Sequence, residues 1–517
     1  MMASVVVTVP PWRADYRIES DHRDLGGRLL TTFLLVAEYG INNGIIRQTC
    51  IEQSKRWFSC VAASYLVAVM LDRTRLTNLL EAEERLFIEQ HPKSAELAHA
   101  AGENLLGGVP MPWMSRWPGA FPLFFREAYG AHFTDVDGIE YHDFCLGDTG
   151  AMVGHGLVAV AEALYHQALR GITTMLPNDD AAWVGAELAR RFGLPSWQMA
   201  MTATDANRFV LRFARHLTGR SKVVVMDWCY HGTVDEAFAV LDESGAVIAR
   251  PGSLGPQVDP SLTTRVVQFN DIDALEQALA CGDVACVLME PALTNIGIVL
   301  PQPGYLPAVR ELTRKYGVLL IIDETHTICV GPGGAARAWD IDADFIVVGK
   351  TIGGGMPAAA YGMSAEIAHR LGLALGSDSI DTSGVGGTLT GNALAVAAVR
   401  ATLTTCLREE DFAVAIPLAT SWANGVAKVI ADFELPWHVQ QLGCRSEYWF
   451  CPPPTNGAQA AAGVDRDLDL FMHLWAVNRG ILLTPFHNMA LMSPHHDQSD
   501  VDVHTMVFRD AVTTLVG

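Results

Sequence analysis

The sequence predicts an α/β fold: a large domain built on a mainly parallel sheet, accompanied by a smaller α/β domain. Three observations carry this expectation. Short apolar runs at Lys222–Met226, Val284–Met289, residues 318–322 and Phe345–Val348 alternate with stretches of helical spacing, the pattern of a parallel sheet. The runs do not alternate polar with apolar residues, as expected of strands covered on both faces. Each also ends abruptly in polar residues: Asp227, Glu290, Asp323–Glu324 and Gly349–Lys350 in turn. In open α/β sheets that strand-end edge is where ligands bind.

At 517 residues the chain is too long for one simple core, so roughly two or three domains are expected. The expected division is an N-terminal extension over residues 1–74, a first segment of the small domain over 75–145, the large domain over 146–395, and a C-terminal part of the small domain over 396–517. Half the residues are hydrophobic and 18% are charged, which suits a globular protein with a large interior. A formal charge of −21 argues against nucleic acid or an anionic membrane as partner, while leaving room for a local basic pocket. The ten cysteines show neither CxxC pairs nor zinc spacing and read as buried hydrophobes of a reducing cytoplasm. The longest apolar run, residues 60–71, is shorter than the about 20 residues a membrane helix takes, so no membrane is expected. The N-terminal MMASVVVTVPPWR lacks the basic region of a signal peptide.

Taken in order, residues 1–74 carry a possible helix around 28–37 and no chemical motif, and read as a leader or as sequence upstream of a start at Met70. From Thr74, Leu79, Ala82, Leu86 and Phe87 fall at helical spacing. Gly107–Gly108 and the prolines at 110 and 112 break the chain, and residues 111–125 form a Pro- and aromatic-rich strip suited to a pocket wall. Asp135-Val-Asp-Gly138 between two short runs predicts a hairpin. LGDTGAMVGHG, residues 146–156, reads as a connector into a helix over 157–169.

Thr202-Ala-Thr-Asp-Ala206 opens a helix whose Phe209, Val210, Phe213, Ala214 and Leu217 share one face, ending at Gly219. Such an N-terminus can hold an anion, and ordinary capping explains the same residues. Past the run Lys222–Met226, Tyr230 or His231 could stack on a flat ring or simply pack in the core. Residues 306–316 read as the helix joining the Val284–Met289 run to the one ending at Asp323. The Gly- and Thr-rich stretch 381–392 is a second possible phosphate loop or a connector into a helix over 393–407. From Glu409, EYWF (447–450) and GILLTP (480–485) suit the small domain. His495-His496-Asp497 reads as a solvated turn rather than a metal site.

Asp323 and Lys350 carry the chemistry. Taken singly, one reads as a carboxylate paired with a cation and the other as a lysine in a solvated loop. Placed at neighbouring strand ends, they would face one ligand from two sides. A lysine amine forms a Schiff base with a carbonyl, and a carboxylate keeps a pyridine nitrogen protonated, which together point to pyridoxal phosphate. Among Lys55, Lys93, Lys222, Lys315, Lys350 and Lys428, only Lys350 closely follows an apolar run and precedes a glycine cluster. A nucleotide P-loop is excluded, because Asp344 stands where that motif needs its first glycine.

Over roughly residues 75–517, these motifs resemble a class III aminotransferase of fold type I, near the glutamate-1-semialdehyde aminomutase branch. The resemblance implies a small domain built from N- and C-terminal segments. It implies Lys350 as the Schiff-base lysine, Asp323 on the pyridine nitrogen and Thr325 packed against the ring where valine is usual. Thr202, Ala203 and Thr204 match a phosphate motif whose glycine is here Ala203. Tyr230 and His231 match an aromatic-His-Gly motif, with Tyr230 on the ring, and Glu290 matches a glutamate before proline. Thr388 matches a residue that reaches the neighbouring subunit's phosphate, implying a homodimer.

The arginine that clamps a substrate carboxylate in that family falls on Trp113 or Met114 here, with Arg116 slightly downstream, and Thr484–Pro485 stand where a C-terminal arginine is usual. An indole cannot replace a bidentate cation. The expectation is therefore a transaminase moving an amino group from an amine, or a bulky amino compound, to a keto acid such as pyruvate by a ping-pong cycle. The alternatives are an aminomutase or amino-acid epimerase on the same scaffold and, from another class, a non-catalytic interaction protein that kept the fold.

Overall fold

The computed structural model describes residues 72–254, 258–376 and 381–517. The expectations for residues 1–69, the helix around 28–37 and the apolar run 60–71 lie outside them. Three antiparallel strands come first, β1 (Phe125–Tyr129), β2 (His132–Asp135) and β3 (Glu140–Asp143), and the predicted hairpin at Asp135–Gly138 joins the last two. The main sheet then draws on β4 (Ser196–Ala200) and β5 (Lys222–Met226). A separate hairpin, β6 (Ala239–Leu241) and β7 (Val247–Ala249), precedes its remaining strands: β8 (Thr264–Val267), β9 (Val284–Met289), β10 (Leu319–Asp323), β11 (Phe345–Val348) and β12 (Ala359–Met363).

The seven strands lie in the order β4-β12-β11-β10-β9-β5-β8, and β12 alone runs against the rest. Every residue of β9, β10, β11 and β12 is buried, which is why their sequences do not alternate. Sequence periodicity misses β12 and β4, because AAYGM and SWQMA are poor in β-branched residues and owe their strand state to pairing with each other. The helix Ala203–Thr218 packs on this sheet through Ala206, Phe209, Val210, Phe213 and Ala214, begins at the Thr202 cap and stops at Gly219, whose φ is 66°.

The first described residues and the C-terminal part meet in a smaller assembly. β15 (Ile481–Leu482) pairs in parallel with β3, and β13 (His438–Leu442), β14 (Arg445–Trp449) and β16 (Met489–Leu491) form a third sheet. In the helix Arg73–Gln90 the buried stripe is Leu76, Glu83 and Phe87, while Ala82, expected on it, is exposed. Glu83 tolerates burial because Arg479 reaches its two oxygens at 2.9 and 3.0 Å and Asn478 adds a third bond at 2.7 Å. The helix Glu409–Asp432 is long and apolar enough to cross a membrane. It buries Phe412, Trp422, Val426 and Val429 and packs on the helix Gln498–Val516 and on β13 and β14, as a core helix does.

Two sequence expectations are corrected. His495-His496-Asp497 is a solvated turn only in part: His495 and Asp497 are exposed, but His496 is 4% exposed and stacks on Phe144, while Asp497 caps the helix Gln498–Val516. Residues 146–149 are more than a connector, since Leu146, Gly147, Asp148 and Thr149 all take positive φ, at 45°, 59°, 48° and 78°.

Candidate active site

β10 and β11 are parallel neighbours with Asp323 opposite Val347, so Asp323 and Gly349–Lys350 leave the sheet at the same edge. The Asp323 carboxylate is buried and fully engaged. His231 Nδ1 donates to Oδ2 at 2.9 Å and Asn207 Nδ2 at 2.8 Å, while Thr325 donates to Oδ1 through its N–H at 3.0 Å and its hydroxyl at 2.5 Å. Burial alone would push this carboxyl up, but the hydrogen bonds from His231, Thr325 and Asn207 outweigh it and hold it at about 2. Thr325 thus orients the carboxylate. Burial works against the charged form of His231, yet Cys229 and Asp323 raise its pKa to about 10.

Lys350 stands on left-handed backbone, with φ 51°. Its Nζ lies 2.6 Å from Asp148 Oδ2 and 2.5 Å from His326 Nε2, with the side chain 26% exposed. Neither partner was anticipated from the sequence. Asp148 was legible only as part of a glycine-rich loop, and the signal for His326 was its place three residues after Asp323. Desolvation opposes the Asp148 anion, but Lys350 and His326 draw its pKa well below the usual carboxylate range. Behind His326, Nδ1 lies 2.8 Å from Thr294 Oγ1, whose hydroxyl donates to Glu290. Arg445, from β14, donates to the Thr294 carbonyl at 2.9 Å and is fully buried, with Nε and Nη1 lacking a protein partner.

The N-terminus of the helix Ala203–Thr218 lies beside this edge. A Cβ on Gly349 would stand 2.9 Å from the Ala203 Cβ, so a glycine is required there while alanine occupies 203. The Thr202 hydroxyl accepts the Asp205 N–H at 3.2 Å, and Thr204 Oγ1 accepts the Thr233 N–H at 3.0 Å. Thr204 therefore braces the Tyr230–Gly232 turn, which places His231 over Asp323. Thr388 is exposed on the loop before the helix Ala393–Thr405.

An aromatic wall completes the arrangement. Trp113 sits 5.8 Å from Tyr230 and 6.1 Å from Phe486, centroid to centroid, and Tyr230 meets Phe238 edge-on at 6.2 Å. Trp113, Met114 and Arg116 lie on the short exposed helix Pro112–Arg116. Phe486, at φ 70°, directly follows Thr484–Pro485 and was also missed from the sequence.

The donor set suits pyridoxal phosphate. Asp323 is an anion held ionised for a ring nitrogen, Lys350 is a partly exposed amine, the N-terminus at Thr202–Thr204 suits a phosphate, and Tyr230 offers a ring face.

Comparisons with known proteins agree. A family model described as "Aminotransferase class-III" matches residues 113–418. Glutamate-1-semialdehyde 2,1-aminomutase of Chloroflexus aggregans is 32% identical over 442 residues, which is 83% of this chain and 99% of that protein. A glutamate-1-semialdehyde-aminomutase of Pseudomonas aeruginosa PAO1, solved in complex with PMP, superposes with a TM-score of 0.85 at 48% identity, covering 86% of this chain and 99% of that one. An omega-transaminase from Sphaerobacter thermophilus gives a TM-score of 0.74 at 25% identity, over 82% and 98% of the two chains.

Proposed function

Because the chain belongs to the class III aminotransferases, we propose that it is a pyridoxal-phosphate enzyme that shifts an amino group within one bound amino compound, as an aminomutase does. The observation that carries this is Asp148 at the amine of Lys350, 2.6 Å from it. A shift within one molecule passes through a form bearing two nitrogens, and an anion beside the reacting lysine suits the second, ammonium nitrogen while disfavouring an incoming keto-acid carboxylate. The two aminomutases described above support the same choice over the pyruvate-dependent transaminase expected from the sequence.

Bound at this edge, pyridoxal phosphate supplies an electrophilic carbon and an electron-withdrawing ring. Asp323, held ionised, would face the ring nitrogen and keep a proton there. Lys350 acts as nucleophile and as carrier of the proton to and from carbon. His231, Asn207 and Thr325 fix the carboxylate so that it cannot turn away. The Trp113–Tyr230–Phe486 wall keeps water off one side and positions the apolar part of the substrate.

That wall also favours a second reading, transfer from a bulky amine to a keto acid, since by resemblance Trp113 or Met114 stands where the cation a carboxylate would need is usual, with Arg116 slightly downstream. Purified enzyme with glutamate 1-semialdehyde alone, followed by NMR, separates the two: isomerisation without any keto acid is expected. Turnover only of an aryl-alkyl amine, and only with pyruvate present, would replace the first reading by the second. The proposal extends to a homodimer in which Thr388 serves the partner's phosphate, and to a cytoplasmic setting consistent with the buried thiols Cys145, Cys229 and Cys286.

A further inference from the structure

We propose that His326 is the proton partner of Lys350, so that one proton is shared between the lysine amine and the imidazole and passes to Nε2 whenever the amine must be uncharged. The inference rests on Lys350 being the cofactor lysine of the proposed function. It follows from a directed chain of hydrogen bonds.

Glu290 is buried and takes donors from two sides: the Thr294 hydroxyl, and the Asn295 amide at 3.3 Å from both oxygens. It is therefore an acceptor. The single Thr294 hydroxyl proton is committed to it, so at 2.8 Å Thr294 Oγ1 accepts from His326 Nδ1, while the Asn295 amide stands farther from that nitrogen, at 3.4 Å, than from the Glu290 oxygens. A neutral imidazole with its proton on Nδ1 leaves a lone pair on Nε2, and that atom is the one 2.5 Å from Lys350 Nζ. Thr294 itself is pinned by the Arg445 guanidinium at its carbonyl. The tautomer of His326 is thus set from behind, and its basic nitrogen points at the reacting amine.

The charges around the ring make the exchange reciprocal. Lys350 and Arg445 oppose an imidazolium, while Asp148, 3.7 Å from Nε2, favours one; Glu290 stands behind Thr294 and Asp323 three residues back on the same chain. With Lys350 charged, burial and that neighbouring cation hold His326 down to about 3. Once Lys350 loses its charge, burial still opposes an imidazolium but the opposing cation is gone and Asp148 remains as the nearest counter-ion, so the ring holds a proton more readily. In the transfer, one N–H bond of the Lys350 ammonium breaks, one N–H bond forms at His326 Nε2, and the positive charge moves with the proton. No oxidant or further reactant takes part.

The test uses the full-length protein freed of cofactor, in which the Lys350 amine is unbound, with ¹³C-labelled histidine rings, the His326 signal being assigned by its loss in His326→Gln. Lys350→Ala should raise the His326 titration midpoint by about one pH unit or more, whereas Lys350→Arg, which keeps a cation, should leave it low. An unmoved midpoint in Lys350→Ala, or equal shifts in both variants, would overturn the partnership. In parallel, His326→Gln should move the pH midpoint of the bound cofactor's visible absorption band by about one unit while still binding cofactor, and an unchanged midpoint would count against it. Turnover by Lys350→Ala would instead overturn the proposed function, whatever the histidine does.

Discussion

Asp148 Oδ2 and Lys350 Nζ meet at 2.6 Å although both residues stand on left-handed backbone, at φ 48° and 51°. Left-handed non-glycine residues cost roughly 1–3 kcal/mol each and persist where the surroundings over-determine them. Two such residues in contact mark a site whose geometry is held against local preference. The four consecutive positive φ values at 146–149 bring Asp148 to the sheet edge, and the turn after β11 brings Lys350 to meet it.

Asp148→Asn tests what the anion does. Asparagine tolerates left-handed backbone and keeps a hydrogen-bonding oxygen, so folding should be preserved. Loss of the charge should lower kcat/KM by about tenfold or more, a change of ~1.4 kcal/mol. Steady-state kinetics beside a melting curve will separate the two effects. A full loss of melting temperature with normal specific activity in the folded fraction would make Asp148 merely structural.

Lys350→Ala should abolish turnover, because no other described lysine stands at this edge to act as nucleophile. The independent readout is borohydride reduction followed by peptide mass spectrometry. Wild-type enzyme should retain cofactor covalently on the peptide that contains Lys350, and the variant should retain none. Retention on a different lysine would move the centre of the site.

The Asp323–Lys350 pair was legible in the sequence because each residue ends a buried strand, and buried strands read as continuous apolar runs. The partners of that pair were not. His326, Thr294 and Asp148 converge from three loops far apart in the chain, and a hydrogen-bond network of that kind leaves no periodic signal. Thr204 reads as a phosphate ligand by motif, and the bond that its hydroxyl accepts from the Thr233 N–H beside Gly232 left no trace in the sequence. The short strand β15 was invisible for a different reason: two residues cannot show alternation, and their strand state comes from pairing with β3.

Trp113→Ala addresses the substrate wall. Trp113 is 46% exposed and touches Tyr230 and Phe486, so its removal should change the melting temperature little. An apolar contact of this size is worth about 1–3 kcal/mol to a bound substrate, predicting a KM rise of about tenfold for a bulky substrate and much less for a compact one. An initial-rate panel with the two substrate sizes checks the difference, and equal effects on both would remove Trp113 from the pocket.

Asp500 supplies a pH prediction remote from the chemistry. Its Oδ1 accepts from His132 Nε2 at 2.9 Å and His142 Nδ1 at 2.6 Å, and its Oδ2 accepts the Asp497 N–H at 2.8 Å, tying the last helix to β2 and β3. Burial opposes the anion, but the His142 bond and the Asp497 N–H outweigh it and hold the pKa well below the usual value. A carboxyl depressed in the folded state binds fewer protons there than in the unfolded chain, so its stabilisation is fully present above the unfolded pKa of about 4 and is lost as pH falls through the folded value. Asp500→Asn should therefore cost about 1–3 kcal/mol at neutral pH, seen as a melting temperature lower by a few degrees. Below about pH 4 the gap between the two melting temperatures should begin to shrink, closing as pH falls through the lower folded value, where the wild-type carboxylate is protonated in the folded state as well. A gap that stays constant into that acid range would mean that packing, and not the charge on Asp500, holds the last helix in place.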